Sequence, residues 1–136
     1  MLGFLKTYGA AVLAGVLLFL AFPASNLHYL AWIGLVPLWI QLREASPRQF
    51  AFHMFIAGFI FHLLTLQWLT SNIYWAGGWA LWGYGLVCIY LGSYWALLGI
   101  VWKWLSSRNP MLGKVLPFAL LWGAMEFVQS FLLSGF

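Results

Sequence analysis

Apolar residues run along this chain in long unbroken stretches, and polar residues gather in short breaks between them. The apolar positions do not alternate, so they lack the period-two pattern of a half-buried strand or a membrane barrel. Five runs stand out, at about 4–22, 27–42, 50–66, 79–105 and 115–133. From 79 to 102 there is no Asp, Glu, Lys or Arg. At about 1.5 Å per residue that stretch is a helix roughly 36 Å long, enough to cross a ~30 Å hydrocarbon core with some tilt. Gly78, Gly85, Gly92 and Gly99 recur along it at a spacing of seven. Seven residues is nearly two turns, so these glycines share one slowly drifting face. In lipid such a face lets a second backbone approach closely. The spacing predicts a packing seam on a central helix; the plain alternative is coincidence in a glycine-rich apolar chain.

The breaks predict turns and loops. Phe22-Pro23-Ala24-Ser25-Asn26 reads as a tight turn, because proline cannot continue a helix and Ser and Asn offer caps. Pro37 is expected to kink the second run. Arg43-Glu44-Ala45-Ser46-Pro47-Arg48 is a polar loop, and 106–114 is a second basic one broken by Pro110. Between them 67–78 reads as an uncharged, aromatic connecting loop that ends in Gly77-Gly78. The first run, with Lys6 near its start, also has the outline of a signal peptide. A cut after Ala24 would put bulky Phe22 at a position that wants a small residue, so a retained helix is expected. Ala11 and Gly15 give that helix one small-xxx-small face.

Composition sharpens this picture. Of 136 residues, 65% are hydrophobic and 6% charged, with mean hydropathy +0.94, whereas soluble domains carry about 25% charge. The expected fold class is therefore all-α: a polytopic membrane helix bundle of about five transmembrane helices, one domain over 1–136. The net charge of +4 then speaks to topology rather than to nucleic acid. With five crossings, Lys6, Arg43, Arg48, Lys103, Arg108 and Lys114 all fall on one side. Positive loops stay in the cytoplasm, which predicts an inside N-terminus, an outside Phe136, and a multi-pass place in the bacterial cytoplasmic membrane. Trp32, Trp68, Trp75 and Trp79 are expected at the outer interface, and Trp39, Trp102 and Trp104 at the inner one.

Candidate chemistry is sparse. Glu126 is the only acid inside an apolar run. A carboxylate there faces a bundle interior or a wet cavity; it serves a structural hydrogen bond or shapes a substrate cavity, with catalysis the last reading. His62 lies about 18 Å along its helix from 50, and Glu126 about 16 Å along its own from 115. Equal depth allows the two to meet, although a lone histidine more often takes a backbone or hydroxyl partner. His53, near the inner interface, reads as structural, and His28 as an interface residue near the outer turn. The single cysteine, Cys88, excludes an internal disulfide. It has no neighbouring base to favour a thiolate and reads as packing. Metal-ligand spacings, nucleotide-binding glycine loops and nucleophile elbows are missing, so no catalytic residue, metal or cofactor is expected.

The order of several short segments resembles a known family. Leu20-Ala21-Phe22-Pro23 followed by Leu30-Ala31-Trp32-Ile33-Gly34-Leu35-Val36-Pro37-Leu38 is similar to the opening of bacterial apolipoprotein N-acyltransferases. Gln67-Trp68-Leu69-Thr70-Ser71-Asn72-Ile73 with Gly77-Gly78, then Tyr90-Leu91 with Tyr94, then Trp122 with Glu126-Phe127 and Leu133-Ser134-Gly135-Phe136, continue the likeness in order. Family members often carry Arg-Gly where this chain has Gln129-Ser130.

The resemblance implies a two-step acyl transfer. A catalytic cysteine takes an acyl chain from membrane phospholipid as a thioester. The chain then passes to the α-amine of an apolipoprotein's lipid-modified N-terminal cysteine. The family's Glu-Lys-Cys set sits in a nitrilase-like periplasmic domain that this chain lacks, so the chain alone is expected to be inactive. Substrate-side contacts are expected at Glu126 and, on the outer loop, at Gln67, Trp68, Gly77 and Gly78; the alternative is a plain interfacial loop. Two other functions stay open: a stand-alone membrane scaffold or partner subunit, and a small transporter with Glu126 and His62 on a polar path.

Overall fold

The computed structural model describes residues 2–22, 25–113 and 115–132, with side chains from Thr7 onward apart from those of 112 and 113. The expected features at Pro23, Ala24, Lys114 and 133–136, and the side chain of Lys6, lie outside the described residues. Every described element is helical. In order they are α1 (Leu2–Leu20), a 3-10 turn (His28–Trp32), α2 (Val36–Gln41), α3 (Pro47–Thr65), a 3-10 segment (Gln67–Asn72), α4 (Ile73–Ala76), α5 (Trp79–Arg108), a 3-10 turn (Pro110–Gly113) and α6 (Val115–Phe131). Among the described residues, α5 is the one unbroken helix long and apolar enough to cross a membrane. α3 passes the same test when joined to 67–76, from which it is bent by 56°.

Ring contacts fix the helix directions. Tyr8 meets Phe52 at 5.7 Å between ring centroids and Phe22 meets Phe61 at 5.5 Å, so α1 and α3 run parallel. Phe50 meets Trp102 and Phe61 meets Trp95, so α5 runs against α3. Trp95 meets Trp122 and Trp102 meets Phe118, so α6 runs against α5. The core between them holds Ala11, Ala14, Phe50, Met54, Ala57, Trp95, Leu98, Trp102 and Phe118.

Small residues set the helix spacing. A methyl group added at Gly15 would lie 2.6 Å from the Ala57 carbonyl oxygen of α3. One added at Gly58 would lie 2.7 Å from the Trp95 ring of α5. A methyl group added at Gly92 would lie 3.2 Å from Phe59 N, and one at Gly99 3.2 Å from Ala51 Cα, both on α3. Gly78 and Gly85 meet nothing within 4 Å. The expected four-glycine seam is thus half as long as the spacing suggests. α3 ends at Thr65, where the chain bends by 56°, so no α3 residue reaches a methyl placed at Gly78 or Gly85.

The second run departs most from expectation. It is not a single kinked span over 27–42 but a 3-10 turn and a six-residue helix separated by a turn at 33–35. Two physical causes coincide there. Pro37 lacks an N–H and sits in the first turn of α2, where none is needed. Gly34 lies against Leu18 of α1, at 2.6 Å from an added methyl, so the backbone is pinned where a helix would carry a side chain.

α3 begins with a capping box. Ser46 Oγ accepts from the Gln49 backbone N–H at 3.3 Å, and Gln49 Oε1 accepts from the Ser46 N–H at 3.0 Å. The stretch 67–78 is not an open loop. It forms short helical pieces closed by Thr70 and Ser71 hydroxyls donating to the Gln67 and Trp68 carbonyls, and it turns into α5 through Gly77 at φ +58°.

Arg43 and Lys103 share one end. Lys103 Nζ donates to the Arg43 carbonyl at 3.0 Å. The Thr7 carbonyl accepts from Gln41 Nε2 and lies 2.9 Å from His53 Nε2, and Arg108 stands over the Trp104 ring at 4.5 Å. At the other end Trp32, Trp75 and Trp79 are exposed. Trp39 and Trp102 stand at the basic end, beside Arg43 and Lys103. They pack on each other at 4.7 Å and on Phe118, inside the bundle.

Candidate functional site

The bundle leaves a cavity of about 450 Å³ between the last turns of α1 and α3, the 3-10 turn at Ala31, the middle of α5 and the C-terminal half of α6. Phe22, Phe61, Trp95 and Trp122 give it aromatic walls. Its polar side comes from α6, where Glu126, Gln129 and Ser130 follow Trp122 at helical spacing, and from His62 of α3.

Glu126, His62 and Ser130 are each held by their own helix. The Trp122 indole N–H donates to Glu126 Oε1 at 2.7 Å, one turn along α6. The Trp122 ring leans on Trp95 at 4.7 Å, which fixes the donor's direction. His62 Nδ1 lies 2.7 Å from the Gly58 carbonyl. A carbonyl only accepts, so Nδ1 carries the proton and the neutral ring presents Nε2 as an acceptor. His62 is buried, edge-on to Trp95 at 5.9 Å. Ser130 Oγ donates back to the Phe127 carbonyl.

The arrangement therefore offers a carboxylate and an imidazole acceptor beside an aromatic trough. It suits a ligand with a long apolar part and a polar head rich in N–H or O–H donors. Among the described residues no group of three or more His, Cys, Asp or Glu comes together to hold a metal ion. Cys88 is buried in α5 and away from this cavity.

Of the residues singled out from sequence, Glu126 lines the cavity and shares it with His62. Gln67, Trp68, Gly77 and Gly78 do not line it. They belong to the bent helical pieces after α3, where a separate shallow hollow lies against Tyr84 and Asn72. The Tyr84 hydroxyl donates to the Leu63 carbonyl and ties this region to α3. His53 bridges its own Gln49 carbonyl and that of Thr7, at the far end from the cavity. Sequence reasoning missed Trp95 and Phe61 as cavity walls. The aromatic step from Trp122 to Glu126, and Met125 and Gln129 beside it, could have been read from spacing alone.

Fold and site define a class: an all-α apolar bundle, built around a helix able to cross a membrane, with an aromatic cavity carrying one carboxylate. The chain belongs to the apolipoprotein N-acyltransferase family, since residues 14–136 match the family model described as apolipoprotein N-acyltransferase N-terminal domain. It is 35% identical to an apolipoprotein N-acyltransferase of Geobacter metallireducens, over 96% of this chain and 26% of the relative. It is 32% identical to one of Azotobacter vinelandii, over 93% of this chain and 25% of that protein, and 24% identical to one of Pasteurella multocida. The chain thus spans about a quarter of the length of the curated relatives it matches. No solved structure gives a significant match.

Proposed function

We propose that this chain is the membrane-embedded portion of an apolipoprotein N-acyltransferase. In this reading the whole enzyme moves an acyl chain from phospholipid to the N-terminal diacylglyceryl-cysteine of a lipoprotein, and this chain alone does not. The observation that carries it is the family match over residues 14–136. The bundle forms one domain that crosses the cytoplasmic membrane five times, with its N-terminus inside. The parallel course of α1 and α3, with 27–42 bringing the chain back to Thr7 between them, and the reversals into α5 and α6 support this, as does the gathering of Arg43 and Lys103 at one end. An acyl chain lies along Phe22, Phe61, Trp95 and Trp122, and Glu126 attracts the substrate's α-ammonium.

The test is a chimera. Residues 1–136 replace the matching segment of the Geobacter metallireducens relative, and lipoprotein acylation is followed by mass spectrometry. The chimera is expected to acylate, and the chain alone is expected not to. Acylation by the chain alone, or none by a chimera that inserts and folds, overturns the reading.

A further inference from the structure

The basic end of the bundle holds a second hollow, of about 530 Å³, far from Glu126. Trp39, Phe50 and Trp102 wall it. Among the described residues its charged lining side chains are Arg43 and Lys103, both cations. Glu44 follows Arg43 in sequence but does not line it.

The donors here outnumber the acceptors. Lys103 Nζ has three N–H bonds and gives one to the Arg43 carbonyl at 3.0 Å. It also stands 5.4 Å from the Phe50 ring centre and 5.8 Å from that of Trp102, which holds the ammonium at the mouth of the aromatic hollow. Ser106, also in the lining, gives its hydroxyl to the Lys103 carbonyl at 2.9 Å. Trp102 is 6% exposed, yet its indole N–H is buried with no hydrogen-bond partner among the described residues. A buried N–H left unpaired is costly, and a native one calls for an explanation. Two cations and an orphaned indole N–H, set in aromatic walls, ask for an anion with an apolar body.

We propose that this hollow binds the phosphate of an anionic phospholipid from the cytoplasmic leaflet. Arg43 and Lys103 pair with the phosphate, the Trp102 N–H donates to it, and an acyl chain lies on Trp39 and Phe50. Basic pockets between helices at the cytoplasmic face recognise headgroups in this way. The lipid is not an acyl donor, because it sits at the end opposite the Glu126 cavity. The inference rests on the membrane crossing proposed above and is independent of acyl transfer.

The test uses the 136-residue chain in detergent, with phosphatidylglycerol titrated in and the bound lipid counted by native mass spectrometry. Arg43→Met and Lys103→Met are each expected to weaken binding about fivefold. Trp102→Phe, which removes the N–H together with part of a core ring, is expected to weaken binding, and its unfolding temperature is expected to fall through the lost packing on Trp39, Phe50 and Phe118. Arg108→Met, on a cation over Trp104 outside the hollow, is expected to leave binding unchanged. Equal weakening by Arg108→Met, or no change in the Arg43 and Lys103 variants, overturns the site. Should the methionine variants fail to fold, Arg43→Gln and Lys103→Gln decide: undiminished binding there also overturns it. Displacement of the lipid by inorganic phosphate alone overturns the lipid assignment. A chimera failing to acylate would leave this result standing, so the two proposals fail separately.

Discussion

The Trp122 indole N–H donates to the Glu126 carboxylate at 2.7 Å, one turn apart on α6. That bond turns an acidic side chain into a fixed feature of a cavity wall. His62, on the facing helix, is committed to the Gly58 carbonyl. The two acceptors therefore share a cavity as neighbours, each anchored by its own backbone or ring.

Double-mutant cycles separate these relations. Trp122→Phe with Glu126→Leu is expected to show a coupling of about 1 kcal/mol, the size of one side-chain hydrogen bond. His62→Phe with Glu126→Gln is expected to be additive within about 0.5 kcal/mol. Equilibrium unfolding in mixed micelles measures both. A large His62–Glu126 coupling would mean a direct contact.

The glycines divide sharply by position. Gly15→Ala and Gly58→Ala are expected to destabilise the bundle by about 1–3 kcal/mol, because the Ala57 backbone and the Trp95 ring must give way. Gly85→Ala meets open space, and is expected to stabilise α5 by up to about 1 kcal/mol through helix propensity. Thermal unfolding of the three variants checks this, and equal effects at all three would refute the half-length seam.

Ser46→Ala removes one arm of the capping box that starts α3. A loss of about 1 kcal/mol is expected. Ser46→Asp, which keeps an acceptor at the same place, is expected to recover most of it.

Cys88 is fully buried in α5. A membrane-permeant maleimide is expected to leave it unmodified in the folded chain and to modify it after denaturation. Fast labelling of the folded protein would show that α5 opens.

The all-helical fold was legible in the unbroken apolar runs, and the cap of α3 lay open in Ser46 and Gln49, three residues apart. The break at 33–35 was not. Pro37 announced a disturbance, but only the seat of Gly34 on Leu18 turns a kink into two separate pieces. The glycine spacing told of a face on α5 without telling how far its neighbour extends, which depends on where α3 bends. The packing of Trp39 and Trp102 on each other was not legible, because tryptophan suits both a headgroup belt and an aromatic core. Position in sequence does not choose between them; the Phe118 ring does. Glu126 stood out from sequence as a lone acid. Its trough did not, because Phe61 and Trp95 come from other helices.

The parallel course of α1 and α3 has a consequence for assembly. Two helices pointing the same way cannot close as a hairpin; the polypeptide must travel back between them before they meet. α3 and α5 face no such delay, since a short bent connection delivers one against the other. The Gly15–Ala57 junction therefore waits on the return of 27–42, whereas the Tyr84–Leu63 contact between α5 and α3 needs only the short bend after Thr65.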